Sequence, residues 1–211
     1  MFKPTITARS VQALALAVVV CALAAVAPAL ARTGIDPSTL NPPPPDFFNA
    51  KCFAGAGGTV CTLAFSDDPI ANEPSGIVCG ATELLLAQNR SVVGKRYYDA
   101  NGNLLQRHFR EQADGTFTNP VTGKSVVWTQ HDTVIHNLAV PGDLSTGTIK
   151  ISGVLARVAT SGGRTILVDV GTVVHDAGTD EILRSRGRHP FDDYFVRGNS
   201  SALAPICTAL A

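Results

Sequence analysis

From about residue 49 to residue 187, hydrophobic and polar residues alternate along the chain, and turn-forming residues interrupt the alternation at short intervals. Alternation with period two is typical of strands that bury one face, and clusters of Gly, Pro, Asn and Asp mark the turns between them. Asn101-Gly102 is the strongest hairpin signal, because this dipeptide suits a type I′ turn. The pattern predicts strands over residues 59–65, 75–81, 84–88, 91–98, 104–112, 124–130, 133–140, 146–160, 165–175 and 181–187.

The same pattern predicts an all-β fold. No long segment has the 3.6-residue period of a helix, and residues 192–196 and 201–210 are at most short helices. Segments 75–81 and 84–88 are either two strands or one bent strand, and segment 146–160 bends at Gly153. Sequential strands with short loops favour an antiparallel meander, and closure into a β-barrel of roughly eight strands removes exposed edges. A two-sheet β-sandwich is the alternative.

The first 31 residues have a different pattern. Lys3 and Arg9 precede an apolar run over residues 13–27, and Pro28 and Ala29-Leu30-Ala31 follow it. A basic start, a short apolar stretch and small residues at the end are typical of a cleavable secretory signal peptide. The run is shorter than the ~20 residues of a transmembrane helix, so an uncleaved membrane anchor is only the alternative. We therefore predict cleavage after Ala31 and a secreted, extracellular protein without a membrane span.

Residues 32–48 are predicted to form a Pro-rich extended linker. The run Pro42-Pro43-Pro44-Pro45 favours polyproline II and offers no amide hydrogen to a helix or a sheet. We expect Phe47 and Phe48 to dock the end of this linker on the domain. Residues 49–211 then form a single β domain.

Charge limits the partners that the domain is expected to bind. The chain has 17 basic and 17 acidic residues, and loss of Lys3 and Arg9 with the signal peptide leaves 15 bases and a net charge of −2. A mildly acidic protein has no electrostatic reason to bind nucleic acid or anionic lipid. The expected partner is therefore a small apolar ligand or an extracellular protein.

The cysteine count becomes even once residues 1–31 are removed. Cys21 lies in that segment, and Cys52, Cys61, Cys79 and Cys207 remain. Four cysteines in an exported chain indicate two disulfides, with three possible connectivities. We favour Cys52–Cys61, which closes a Gly-rich loop, and Cys79–Cys207, which ties the C-terminal tail to the domain. A zinc site is disfavoured, because no C-x-x-C pair exists and the histidines lie far from the cysteines in sequence.

Several segments of the domain carry a resemblance to known proteins. Residues 98–104 (YDANGNL) and 118–125 (TNPVTGKS) resemble a group of small, uncharacterised secreted bacterial proteins of actinobacterial type, and residues 171–174 (GTVV), residues 187–190 (GRHP) and Cys207 fit the same pattern. The order of the predicted strands also looks like that of the allene oxide cyclase and dirigent β-barrels. That resemblance implies a barrel with an apolar interior, and it carries over no catalytic residue.

His136 is the most informative of the histidines. The sequence has no Walker A, G-x-S-x-G, H-E-x-x-H or EF-hand motif, and we predict no metal and no cofactor. The alternation places His136 on one face with Val134, Leu138 and Val140. An imidazole on that face is either a general base or ligand contact inside a barrel, or a core histidine that a neighbouring group satisfies.

Asp169 interrupts an apolar strand and is the second candidate for catalysis. It shares a face with Leu167, Val173 and His175. A buried Asp169 beside His136 would form an acid–base pair, whereas the plainer interpretation is that Asp169 faces water.

Aromatic residues and arginines add candidate ligand contacts. Tyr97, Tyr98 and Trp128, together with His136, are candidate ligand-binding residues, because aromatic rings combine a large apolar area with a polar group. Single aromatic residues on strands also serve simply as core. Three arginines near the Asn101-Gly102 hairpin are either contacts for an anionic ligand or ordinary solvated charges: Arg96, Arg107 and Arg110.

These observations lead to three hypotheses about function. The first is a secreted non-enzymatic β-barrel that binds a small apolar ligand or a partner protein. The second is an isomerase, cyclase or hydrolase that acts on a small apolar substrate in the barrel lumen, using His136 with Asp169 or a tyrosine. The third is an envelope-associated structural protein that its Pro-rich arm tethers.

Overall fold

The computed structural model describes residues 33–211, so the predicted signal peptide over residues 1–31 lies outside the described residues. The described chain forms ten strands and two short α-helices. The strands are β1 (Gly34–Ile35), β2 (Lys51–Gly55), β3 (Gly58–Ser66), β4 (Ile70–Cys79), β5 (Thr82–Tyr98), β6 (Leu104–Thr118), β7 (Ser125–Asn137), β8 (Thr148–Thr160), β9 (Thr165–Asp176) and β10 (Ile182–Arg188). The helices are α1 (Pro190–Phe195) and α2 (Ala204–Leu210). No helix in this range is long and apolar enough to cross a membrane.

All ten strands belong to one antiparallel sheet, which confirms the predicted all-β, antiparallel class. The order is β1-β2-β3-β5-β6-β7-β8-β9-β10, and β4 also pairs with β5. Strands β3 and β4 pair with successive parts of β5, with Ser66 opposite Ser91 and Ile70 opposite Gln88. Pro69 separates them, because it has no amide hydrogen to donate to the ladder. Within residues 33–211 the end strands β1 and β10 do not pair, so hydrogen bonds do not close the sheet.

Two strands each join two segments that the sequence pattern predicts as separate. Segments 84–88 and 91–98 merge into β5, and segments 124–130 and 133–140 merge into β7. The polar residues between segments 84–88 and 91–98 continue the ladder because they find solvent or a partner. Asn89 is exposed, and Arg90 lies 3.5 Å from a carboxylate oxygen of Asp67 and 3.3 Å from one of Glu111.

Strand β8 bends at Gly153, as predicted. Its φ is +136°, and a Cβ atom there would lie 2.5 Å from the carbonyl oxygen of His131. The registers of β7 with β8 and of β8 with β9 shift next to this point. Glycine therefore allows β7 and β8 to stay in contact through the bend.

The hydrophobic core lies against one face of the sheet, which we call the inner face. One cluster packs the C-terminal helices against strands β4 to β9. It contains Ile77, Leu84, Ala113, Phe117, Val126, Trp128, Val158, Leu167, Leu203, Ile206 and Leu210. Two smaller clusters lie around Tyr98 and Leu104 and around Phe48 and Phe109.

Both predicted disulfides are present, which confirms the favoured connectivity. Cys52 and Cys61 lie opposite each other on β2 and β3 and are bonded. Cys79, at the end of β4, is bonded to Cys207 of α2. The second disulfide therefore fixes the C-terminal helix next to the core.

Residues 33–48, predicted as a linker, belong to the same compact unit as the domain. Strand β1 pairs with β2, and Leu40 is buried among the residues of the core. The amide of Asn41 donates to the carbonyl of Gly102, and the carbonyl of Asn41 accepts from the amide of Leu104. The folded domain therefore begins before residue 49, and we call residues 33–48 the N-terminal segment.

The two phenylalanines at the end of this segment behave differently. Phe48 is 9% exposed and packs against Phe65 and Phe109, with ring centroids 4.7 and 6.0 Å away. Phe47 is 61% exposed, although its ring centroid lies 5.3 Å from that of Phe65. Phe48 is thus the side chain that holds the end of the segment on the sheet.

Candidate functional site

A cavity of about 560 Å³ opens on the inner face, between the N-terminal segment and strands β3, β5, β6, β7 and β8. This volume lies within the range of small-molecule sites. Its apolar lining comprises Pro45, Phe47, Phe48, Phe65, Val92, Phe109, Val134, Leu144 and Ile149. Its polar lining comprises Asp67, Arg90, Arg96, Arg107, Glu111 and His136. We call this space the inner-face cavity.

The register of the sheet places three nitrogen-bearing side chains in one row at one end of the cavity. Arg96 on β5 lies opposite Arg107 on β6, and Arg107 lies opposite His136 on β7. Because successive residues of a strand point to opposite faces, all three side chains point inward, with Phe109 two residues from Arg107 and Val92 four residues from Arg96 on the same face. Strand alternation and register together assemble this row from three neighbouring strands.

His136 is 1% exposed, and both of its ring nitrogens are engaged. Its Nδ1 lies 3.2 Å from Nε and 2.6 Å from Nη2 of Arg107, and its Nε2 lies 2.9 Å from the carbonyl oxygen of Thr146. A guanidinium only donates and a carbonyl only accepts, so Nδ1 is the acceptor and Nε2 carries the proton. Burial lowers the pKa of His136, and the charge of Arg107 acts in the same direction. His136 is therefore a neutral imidazole.

Arg96 is the most deeply buried arginine of the cavity, at 3% exposure. Its Nη1 donates to the carbonyl of Pro43 at 3.1 Å, and its guanidinium lies 6.0 Å from the ring centroid of Phe48. The hydroxyl of Tyr98, 3.5 Å from the same Nη1, donates to the carbonyl of Pro42. Within the described residues, Nε of Arg96 is buried without a hydrogen-bond partner. Arg96 thus holds the polyproline run through Nη1, and its Nε hydrogen has no acceptor in the described residues.

Arg96 and Arg107 are adjacent like charges without a counterion. Among residues 33–211, neither guanidinium has a carboxylate within 4.0 Å, whereas Arg90 has two. Burial lowers the pKa of Arg107, and the neighbouring charge of Arg96 lowers it further. Both side chains remain charged, because arginine keeps its proton in proteins. This end of the cavity is therefore positively charged.

Acidic groups lie further along the same strands. Glu111 is four residues from Arg107 on β6, and it lies opposite Asp132 on β7. Asp132 is 7% exposed, and its Oδ1 has no partner in the described part of the chain. Burial raises the pKa of Asp132 to about 6. The cavity therefore runs from a basic end at Arg96 and Arg107 toward an acidic region at Glu111.

The structure does not join the two residues proposed from sequence as an acid–base pair. Asp169 is 1% exposed, so the interpretation that it faces water is wrong. One carboxylate oxygen lies 2.9 Å from Nδ1 of His189, and the other accepts the amide of Phe191 at 3.1 Å. Asp169 therefore holds the start of α1 against β9, whereas His136 is bonded to Arg107.

The Asp169–His189 pair is closed to solvent. Nε2 of His189 donates to the carbonyl of Arg186 at 3.0 Å, so both ring nitrogens are used. Burial raises the pKa of Asp169, and the hydrogen bond from His189 opposes that change. Each polar atom of the pair is hydrogen-bonded inside the fold, so the pair has a structural role in holding α1 against β9.

The candidate ligand-binding residues lie in different places. His136 lines the inner-face cavity, and Tyr98 lies beside it against Arg96. Tyr97 points to the opposite face of β5, where it lines a depression of about 510 Å³. Trp128 packs in the large core cluster, stacked on Phe117 at 5.9 Å.

The sequence indicates Arg96, Arg107 and Arg110 equally as possible contacts for an anionic ligand, whereas only the first two line the inner-face cavity. Arg110 is exposed and lines the outer-face depression with Tyr97. The signal that distinguishes them is alternation: Arg107 shares a face with Phe109, and Arg96 shares a face with Val92. Without the strand register, their position opposite each other was not evident.

Within residues 33–211, no group of three or more His, Cys, Asp or Glu side chains is placed to hold a metal ion. Searches against protein families, curated proteins and solved structures find no match to this chain.

Proposed function

We propose that the protein is a secreted, non-enzymatic protein that binds a small, largely apolar molecule in the inner-face cavity. The observation that carries this proposal is the cavity itself, about 560 Å³ in volume and walled by four phenylalanine rings. Apolar pockets with a few convergent polar groups are the usual form of small-molecule sites.

The aromatic wall favours a ligand with a substantial apolar body. Phe48 contacts both Phe65 and Phe109, and the ring centroids of Phe47 and Phe48 are 4.5 Å apart. Rings at these separations can contact a ligand through both their faces and their edges. These aromatic contacts add to the free energy gained when the apolar surface of the ligand is buried.

The hydrogen bonding of the two candidate catalytic residues favours binding over an isomerase, cyclase or hydrolase. A general base needs a free lone pair within reach of the substrate. Nδ1 of His136 already accepts from Arg107, and both oxygens of Asp169 are engaged by His189 and Phe191. Saturable ligand binding would argue against the envelope-associated structural protein, and the enzyme hypothesis is the alternative within ligand binding.

We also infer that the sheet curls into an incomplete barrel whose gap is filled by the C-terminal helices. Side chains from β4 and β9, near opposite ends of the strand order, share one core cluster. Tyr194 of α1 accepts the amide of Val78 on β4 at 2.8 Å, and Cys207 of α2 is bonded to Cys79. These contacts support closure by helices where strand pairing is missing.

Export is part of the proposal. Two disulfides are typical of proteins that fold in an oxidising compartment, and they agree with the signal peptide predicted over residues 1–31.

Binding of neutral phenylnaphthylamine, a dye that fluoresces in apolar sites, tests the proposed function. The matched variants are Val134→Trp, which fills the cavity, and Val127→Trp, which adds the same ring to the outer face of the same strand. We expect saturable binding to the wild type and to Val127→Trp, and loss of binding in Val134→Trp. Equal binding by both variants, or no saturable binding at all, would contradict the proposal.

A further inference from the structure

The inner-face cavity carries a positive charge that the fold leaves uncompensated. Arg96 and Arg107 lie opposite each other in the ladder, and both line the cavity. Among the described residues neither meets a carboxylate, although Arg90, a few residues away, is paired with both Asp67 and Glu111. Residues 33–211 therefore supply counterions to one arginine of this cavity and not to the other two.

We propose that the inner-face cavity binds an apolar molecule with one carboxylate group, and that Arg96 and Arg107 hold this carboxylate. The inference rests on the proposed ligand-binding function and adds the charge and polarity of the ligand to it. The apolar body lies against the rings of Phe48, Phe65 and Phe109.

The two guanidiniums form an energetically unfavourable pair. Like charges directly opposite each other on neighbouring strands are destabilising, and burial of charges without partners adds to the cost. The acceptors that they do have are uncharged: the carbonyl of Pro43 for Arg96 and the neutral His136 for Arg107. A bound anion offsets the repulsion between Arg96 and Arg107, and this gain adds to the free energy of binding.

The geometry of the two guanidiniums suits a carboxylate. Guanidinium groups are planar, always charged and matched to the two oxygens of a carboxylate. His136 holds Arg107 from one side through Nε and Nη2, and Pro43 holds Arg96 through Nη1. Both guanidiniums are therefore oriented before a ligand arrives, which reduces the entropy that is lost on binding.

Acidic residues of the same cavity limit the ligand to one carboxylate. Asp67 and Glu111 line the cavity around one arginine, Arg90, so two carboxylates face one guanidinium there, and Asp132 lies opposite Glu111. A second anionic group on the far end of the ligand would meet these carboxyl groups and be repelled. The acidic region therefore selects monocarboxylates over dicarboxylates.

Isothermal titration calorimetry with three aryl probes tests the inference on the mature, disulfide-bonded chain. The probes are naphthoate, neutral naphthamide and a naphthalenedicarboxylate. We expect naphthoate to bind roughly tenfold or more tightly than naphthamide, as charge-assisted hydrogen bonds imply, and the dicarboxylate to bind more weakly than naphthoate.

Two arginines of β6 provide matched variants. Arg107→Met is expected to remove the preference for naphthoate over naphthamide. Arg110→Met, which removes the same charge from the outer face of β6, is expected to keep the preference. Arg107→Lys is the second variant if Arg107→Met fails to fold, and it is expected to keep a reduced preference, because lysine retains the charge without the planar fork.

The outcomes separate this inference from the proposed function. Equal affinity for naphthoate and naphthamide, or equal loss in the Arg107 and Arg110 variants, overturns the carboxylate site while leaving apolar binding in place. Absence of binding by all three probes and by phenylnaphthylamine overturns the proposed function itself. Tighter binding of the dicarboxylate than of naphthoate refutes the limit to one carboxylate.

Discussion

At the scale of single residues, the inner face handles its buried charges in different ways. Asp169 is bonded to His189, Arg90 is paired with two carboxylates, and Arg107 donates to a neutral imidazole. Asp132 has no comparable partner, and burial raises its pKa to about 6. A buried carboxyl group without a cation favours its neutral form, because desolvation penalises the charge.

Asp132 should make stability fall as pH rises. Its pKa is about 6 in the folded protein, against an ordinary value of 3.8. Its favourable contribution to the free energy of unfolding is therefore complete below pH 3.8 and is lost as pH rises through about 6. Asp132→Asn removes the buried charge, and we expect it to raise the free energy of unfolding by roughly 1–3 kcal/mol at pH 8. Little of this gain should remain at pH 4.

Urea unfolding of wild type and variant at both pH values measures this difference. Asp114→Asn, on the exposed face of β6, is the matched control for loss of one carboxylate and should change stability little at either pH. A gain for Asp132→Asn of the same size at pH 4 and pH 8 would contradict the account.

The Asp169–His189 pair should matter for stability more than any surface ion pair. Asp169→Ala leaves Nδ1 of His189 and the amide of Phe191 without an acceptor in a closed environment. We expect a loss of about 3–5 kcal/mol in the free energy of unfolding, typical of breaking a buried pair. Asp193→Ala breaks the exposed pair with Arg197 and should cost less than ~1 kcal/mol. Similar losses for the two variants, measured by urea unfolding, would show that burial does not distinguish the pairs.

At the scale of elements, the N-terminal segment is a wall of the cavity. Its carbonyls at Pro42 and Pro43 accept from Tyr98 and Arg96, and Phe48 packs on the sheet. A polyproline run has no amide hydrogens, so it is held through its carbonyls and the side chain that follows it. Composition alone indicates an extended segment, and it does not reveal these acceptors.

Phe48→Ala should loosen the N-terminal segment. The ring is 9% exposed, and its removal should cost about 3 kcal/mol, at the low end for a buried phenylalanine. We expect thermolysin to cleave within residues 33–48 faster than in the wild type, with the rest of the domain intact. Phe47→Ala removes the same ring from a 61% exposed position and should leave the cleavage rate close to that of the wild type. Equal acceleration in both variants would contradict the anchoring role of Phe48.

Element boundaries show which parts of the strand pattern the sequence predicts. Period-two alternation locates β3, β8, β9 and β10 to within a few residues. It splits β5 at Asn89-Arg90 and β7 at His131-Asp132, because polar pairs resemble turns when their partners are unknown. Arg90 continues its strand through Asp67 and Glu111, which are distant in sequence.

At the scale of the whole molecule, the class and the disulfides follow from the sequence, whereas the site does not. Alternation and an even number of cysteines after residue 31 suffice to predict an antiparallel β fold with Cys52–Cys61 and Cys79–Cys207. The cavity depends on register: only pairing β5, β6 and β7 places Arg96, Arg107 and His136 in one row. Candidate residues chosen by type alone, such as Trp128, lie in the core instead.

The most direct test of the account is native mass spectrometry of the protein purified from the growth medium of its own host. We expect a mass that exceeds that of the disulfide-bonded polypeptide by one small molecule, retained in Val127→Trp and absent in Val134→Trp. A bare polypeptide mass in the wild type that does not change on incubation with naphthoate or phenylnaphthylamine would contradict ligand binding in the inner-face cavity.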